Sequence, residues 1–303
     1  ADTATNYVGR IAVVPLPDLD VRSDADVLVA TPATLRPWLP MRDFDSYKGT
    51  YGHVAIIAGS MGYFGAARMA ALGALHAGAG LVTVLAKPNF YPYVTQGMPP
   101  EVMVKPVEAF REVLNGNYDS IILGPGLVGE PIPEISEIMR MASCSMVLDA
   151  GAFESLAGNL KLLRLVNAPR ILTPHPGEFA RIYRTPNITR AEMVRKFVDE
   201  YPSVLLLKGA RTLIGAPGRP LVYNTTGSPG MGTGGMGDVL SGVIGGLTAQ
   251  GLRPSKAAAL GAWLCGRAAE IAITSGESEE SLVADHIPPH IGKAFQNIRQ
   301  AGW

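Results

Sequence analysis

The sequence predicts an α/β protein, a three-layer α/β/α sandwich built on a mostly parallel sheet with a β-hairpin at one side. Two observations carry this reading. Short apolar runs without polar alternation recur along the chain, separated by longer segments of helical spacing, as a parallel sheet covered on both faces requires. The composition, 47% hydrophobic and 17% charged over 303 residues, supports a large buried core.

Taken in order, the first 40 residues stand apart. They hold five prolines and scattered acids with no long periodic segment, so residues 1–40 are expected to be an arm or linker and 41–303 the domain. Within the arm, "TPATLRPWL" has Thr31 as N-cap and Pro32 at the first helical position, which predicts a short helix. Strands are then expected at 53–59, 81–86, 120–124, 145–150, 170–173 and 204–208. Helices are expected between them at 64–77, 132–142, 177–183 and 190–200. Residues 212–215 and 220–224 flank a Pro-Gly turn and read as the hairpin. Two further helices follow, 237–250 and 254–274. In the first, Val239, Leu240, Val243, Ile244 and Leu247 share a face, while Gly242, Gly245 and Gly246 permit close approach of a neighbour. No internal repeat or low-complexity tract is present.

Charge excludes some classes of partner. Lys+Arg and Asp+Glu are equal at 26 each, so the chain lacks the basic footprint of a protein that coats nucleic acid or anionic membrane. Small molecules are the expected partners. Arg68, His76 and several glycines interrupt the apolar run at 64–86, which argues against a membrane span, and no signal peptide precedes it. Cys144 and Cys265 fit no metal-ligand or CxxC spacing and read as buried thiols of a reducing, cytoplasmic compartment.

The segment "NTTGSPGMGTGGMGDVLSG" is the densest in function. Six glycines precede one aspartate, and the chain then turns apolar. Glycine in such number is costly unless the chain turns sharply or a ligand must reach its N–H groups. Gly234, Gly235 and Gly237 lie where a helix begins, and a helix start offers unpaired N–H groups and partial positive charge to an anion. Asp238 beside them is placed to accept a proton from a group attacking a bound phosphate, a role worth roughly 10²–10⁴ in rate. The alternative is an acid that only caps its helix. The segment is neither a Walker A sequence nor a GxGxxG after the first strand.

"GMGTGGMGDVLSGVIGGLTAQG" resembles the signature of the NAD(P)H-hydrate dehydratases, within the ribokinase-like superfamily. "KGTYGHVAIIAGSMGYFGAARMAALGALHAGAGLVTV", "GPGL", "VLDA", "ILTPHPGEF" and "LKGART" match the same family in the right order. The resemblance implies a ribokinase-like fold and a lyase that transfers phosphate from ADP, or from ATP in eukaryotic members, to the 6-hydroxyl of NADHX or NADPHX. Loss of phosphate then regenerates NADH or NADPH. It assigns Asp238 as base, Gly235 and Gly237 to the anion hole with Gly234, and Lys208, Gly209, Ala210, Arg211 and Thr212 to the adenine nucleotide. Ala66, Gly126 and His175 are assigned to the hydrated dinucleotide. It implies Mg²⁺, with ligands that the sequence does not identify, and a homo-oligomer, a tetramer. Asp149, ending its strand, either orients a magnesium-bound water or caps a loop.

Three positions depart from the pattern. Met236 replaces the usual Thr or Ser, Val128 a usual glycine, and Gly151 a frequent second Asp, which weakens any paired-carboxylate metal site. "GRIAVVPLPDL" in the arm resembles the segment that follows an epimerase domain in bifunctional fusions. A ribokinase-like kinase of a small molecule such as a vitamin precursor shares the glycine–aspartate site and is the competing reading, distinguished by a stable phosphoester product. A non-catalytic nucleotide sensor is the third.

Overall fold

The computed structural model describes residues 25–185 and 188–300. Ten strands among them form one sheet, in the order β1-β10-β9-β8-β7-β6-β5-β2-β3-β4. These are β1 (Val27–Ala30), β2 (His53–Ile57), β3 (Leu81–Ala86), β4 (Met103–Pro106), β5 (Ser120–Leu123), β6 (Ser145–Leu148), β7 (Arg170–Leu172), β8 (Val204–Leu207), β9 (Leu213–Gly215) and β10 (Leu221–Asn224). Only β9 runs antiparallel to its neighbours. The unbroken apolar runs serve both faces. Val54, Ile56, Ile122 and Val147 point into one core, and Ala55, Ile57, Ile121, Leu123, Met146 and Leu148 into the other.

The helices divide between these two cores. Those on the first face are α2 (Phe64–His76), α7 (Met236–Ala249), α8 (Pro254–Thr274) and α9 (Pro288–Gln300). On the second lie α4 (Ile132–Met141), α5 (Pro176–Ile182) and α6 (Arg190–Glu200). Short helices α1 (Pro32–Leu35) and α3 (Tyr91–Gln96) complete the set. The three-layer expectation therefore holds, with a mostly parallel sheet. Thr31 caps α1 with Pro32 following, as expected.

Helices α2 and α7 approach backbone to backbone. A methyl group at Gly242 would collide with the Ala70 carbonyl, and one at Gly73 with the Val239 carbonyl. On the opposite face, fully buried Arg170 donates to the carbonyls of Met139, Ala142 and Ala168, neutralising the C-terminal end of α4.

Four expectations change. Val27–Ala30 lies in the stretch expected to be an arm, yet it pairs in parallel with β10, so the edge of the sheet is β1 and not the hairpin. The hairpin strand β9 also pairs with β8, placing it inside the sheet. Strand β4 and helix α9 were not expected: β4 is a short, mostly exposed edge ending in proline, without a run of apolar residues to mark it. Cys265 is buried, but Cys144 is only half-buried; both thiols are free. The segment at 9–19 lies outside the described residues.

Candidate active site

The site forms at the carboxyl ends of β5 to β8, where the N-terminus of α7 meets the sheet. Parallel α/β sheets place ligands at this rim because the strand ends leave a crevice flanked by helix N-termini. Gly235 adopts the left-handed region, φ 88°, and sets the entry of α7. An L side chain there would be strained, and its Cβ would lie 2.9 Å from that of Ala284. The first helical bond runs from the Val239 N–H to the Gly235 carbonyl at 3.1 Å. The N–H groups of Met236, Gly237 and Asp238 thus precede the ladder, and no side chain caps them. Gly234 faces open space, so an anion meets no obstruction at this turn.

Four ionisable groups converge here. Lys208 ends β8 and places its Nζ 2.9 Å from Asp149 Oδ1 and 4.0 Å from Glu178 Oε2. Asp149, at the end of β6, is 1% exposed, and its Oδ2 accepts from Ser241 Oγ at 2.9 Å. A Cβ at Gly237 would stand 3.0 Å from Lys208 Nζ and 3.5 Å from Asp149 Oδ2, so a side chain there would crowd the lysine. Asp238 occupies the first turn of α7. Burial pushes its carboxyl up, Asp149 adds to the rise, Lys208 opposes it and Glu178 adds again, bringing it to about 6. For Lys208 burial pulls downward, but Asp149, Glu178 and Asp238 outweigh it and hold the ammonium above its ordinary range. A lysine so placed stays charged at neutral pH.

His175 lies in the loop after β7 with its side chain about half exposed. Its Nδ1 accepts from the N–H groups of Gly177 and Glu178 at 3.0 and 3.3 Å, and its own N–H donates to Glu178 Oε2 at 2.8 Å. This reciprocal cap starts α5 and leaves the hydrogen on Nε2, 3.6 Å from Glu178 Oε2. Glu178 thereby links the His175 loop to Lys208. Thr212 closes the 208–212 turn by donating to the Gly209 carbonyl at 3.1 Å; Ala210 is exposed and Arg211 half-buried in that turn.

Ala66 and Gly126 meet on the other side of the crevice. Gly126 has φ 60°, and a Cβ on it would be 2.6 Å from that of Ala66. Met69, one turn after Ala66 on α2, stands 3.6 Å from the corresponding position on Gly235. Asp149, Lys208, Gly237 and Asp238 therefore meet at one rim of the sheet, with His175 linked to them through Glu178 and with Ala66 and Gly126 across the crevice. Two that sequence reasoning passed over, Glu178 and Ser241, complete it. Glu178 had a signal in its capping-box spacing from His175, and Ser241 in its position one turn after Gly237.

A profile described as NAD(P)H-hydrate dehydratase matches residues 54–289. The chain belongs to the NAD(P)H-hydrate dehydratase family. It is 40% identical over 288 residues to a bifunctional NAD(P)H-hydrate repair enzyme of Moorella thermoacetica, the match covering 89% of the chain and 54% of the relative. The chain thus spans about half the length of that protein. Against the ADP-dependent (S)-NAD(P)H-hydrate dehydratase of Bacillus subtilis it is 34% identical over 272 residues, covering 86% of the chain and 96% of the relative. A crystal structure of the Bacillus subtilis ADP/ATP-dependent dehydratase, co-crystallised with ATP/Mg²⁺, superposes with a TM-score of 0.80 at 32% identity, covering 90% of the chain and 99% of the other. Ribokinase of Thermotoga maritima shares the fold alone, at 12% identity and a TM-score of 0.53, covering 81% and 100%. The dehydratase family thus supplies the frame for the geometry around Asp238.

Proposed function

We propose that this chain dehydrates (S)-NADHX and NADPHX with ADP as phosphoryl donor, releasing NADH or NADPH, AMP and phosphate. The observation that carries the reading is the single carboxylate of Asp238 in the first turn of α7, beside free N–H groups and the Lys208 ammonium, in a chain of the dehydratase family. The turn at 208–212 holds the adenine nucleotide, and its diphosphate reaches the N–H groups of the 234–237 turn. Ala66, Gly126 and the half-exposed side chain of His175 border the dinucleotide.

In the first step the 6-hydroxyl oxygen attacks the β-phosphorus of ADP. Its proton passes to Asp238, and the bond to the AMP oxygen breaks. A carboxylate with its ionisation near 6 is charged at neutral pH yet basic enough to take that proton. Helix N–H groups and the Lys208 ammonium face the charge that spreads over the transferring phosphoryl. The phosphate ester then leaves as inorganic phosphate, with a hydrogen lost from the adjacent ring carbon, and the dihydronicotinamide ring is restored.

Among the described residues no group of three or more His, Cys, Asp or Glu stands ready to hold a metal ion. Magnesium would enter with the diphosphate, as an ion that usually keeps water and phosphate oxygens around it and needs no dedicated protein cage. When bound it neutralises phosphate charge. A homotetramer, a cytoplasmic location and joint action with an NAD(P)H-hydrate epimerase complete the proposal; bifunctional relatives favour the last. No helix among the described residues is long and apolar enough to cross a membrane.

The test supplies purified protein with NADHX, Mg²⁺ and either ADP or ATP, and follows recovery of the dihydronicotinamide absorbance. Recovery with stoichiometric AMP and phosphate is expected with ADP. A stable phosphoester with no reduced nicotinamide would establish the kinase reading instead.

A further inference from the structure

Asp149 is held more firmly than a loop cap requires. It is 1% exposed and each carboxylate oxygen has a partner at 2.9 Å, Lys208 Nζ on Oδ1 and Ser241 Oγ on Oδ2. Ser241, fully buried, lies also 2.9 Å from the Gly237 carbonyl, which ties the carboxylate to the first turn of α7. The backbone is confined as well. The next residue, Ala150, has φ 44°, the one positive value for a non-glycine among the described residues. A side chain at Gly124 would strike the Asp149 carbonyl, and one at Gly151 the Leu127 carbonyl. Backbone in this sparsely populated region persists where the surroundings over-determine it, and such sites cluster around function.

We propose that Asp149 is a positioning residue that, with Ser241, fixes the Lys208 ammonium against the first turn of α7, so that one immobile positive charge faces the anion site bordered by Asp238. The proposal rests on the dehydratase reading and extends it to two residues given no role in that reading. Lysine on a flexible four-carbon stem is a mobile charge unless something holds it. A charge already in place when phosphate arrives needs no reorganisation during transfer, which is where such charges have most effect. With one oxygen given to Lys208 and the other to Ser241, the carboxylate acts through the lysine and not on the substrate.

The charged groups facing Asp238 are Asp149 from the end of β6, Glu178 from α5 and Lys208 from the end of β8. Their signs make the Asp238 titration a readout of where these charges stand. The full chain, labelled with carbon-13 at the aspartate carboxyls, is titrated as wild type, Asp149→Asn and Lys208→Met, without ligands. Removing the like charge at Asp149 is expected to lower the Asp238 titration, and removing Lys208 to raise it. With NADHX and ADP, Asp149→Asn should lose on the order of 10²-fold in kcat, with a much smaller change in KM for ADP. The acid limb of its pH profile should move down with the carboxyl titration. Ser241→Ala deletes no charge, so a rise in the Asp238 titration there reports only the lysine moving away; the variant should show that rise and lose about tenfold in kcat. It also serves where Asp149→Asn does not fold. An Asp149→Asn protein with wild-type kcat overturns the proposal, as does a Ser241→Ala protein with full activity or with an unmoved Asp238 titration. Failure of wild type to convert NADHX overturns the functional reading instead, and the ligand-free titrations keep the two failures distinct.

Discussion

At the scale of single residues, Asp238 sets two measurable properties. As the proposed base, it must be ionised for turnover. The kcat/KM profile of the free enzyme is therefore expected to fall on the acid side with a midpoint near 6, well above the ordinary range for Asp. The same carboxyl costs stability. Its folded value exceeds its unfolded one, so the native state binds the extra proton, and stability is lost as pH rises from about 4 through about 6. Asp238→Asn removes this penalty. It should bind both ligands, turn over at least 10²-fold more slowly, and unfold at higher denaturant at pH 8, by about 1–3 kcal/mol, with no gain at pH 4. Denaturant titrations at the two pH values check it. The identity of Asp238 as the acid of interest was legible in the sequence because it follows a dense run of glycines at the start of an apolar helix. Its raised ionisation was not, since it comes from burial and from the like charges of Asp149 and Glu178, against the pull of Lys208, and these groups meet only through the sheet.

At the scale of elements, α7 does two jobs. Its N-terminus presents N–H groups to the site, and its body packs against α2 at glycine notches. Gly242→Ala places a methyl against the Ala70 carbonyl, a backbone atom that cannot yield as a side-chain tip would. The substitution is expected to cost about 2–3 kcal/mol in thermal or denaturant unfolding. It should also lower kcat, because displacing α7 shifts Asp238 relative to Lys208. Most elements here were legible. Strands 81–86, helix 190–200 and helix 254–274 match their expected bounds, and α7 begins one residue early because Gly235 turns the chain just ahead of it. The exceptions have physical reasons. Strand β1 carries its pairing information in β10, nearly 200 residues away, and Met103–Pro106 forms a strand only because β3 offers it an edge. Helix α9 did carry a signal, with Ile291, Ala294, Phe295 and Ile298 at helical spacing on the buried face.

At the scale of the whole molecule, the sheet holds the site together from both ends. Removing residues 1–30 deletes β1, bares the edge of β10 and uncovers the position of buried Ala30. Such a truncation is expected to lower the melting temperature and promote association through the exposed edge, as light scattering during a thermal ramp would detect. Saturating ADP with Mg²⁺ should raise the melting temperature of the intact chain, by the equivalent of about 2.7 kcal/mol at a hundredfold excess over Kd. By itself the sequence determined the layered α/β class, the glycine–aspartate turn and the family, because hydrophobic spacing and local motifs are written along the chain. Tertiary structure alone decided that Asp149, Glu178 and Ser241 surround Lys208 and Asp238, and that the arm contributes an edge strand. Charges act through space and strands pair across any separation, so neither result has a local spelling.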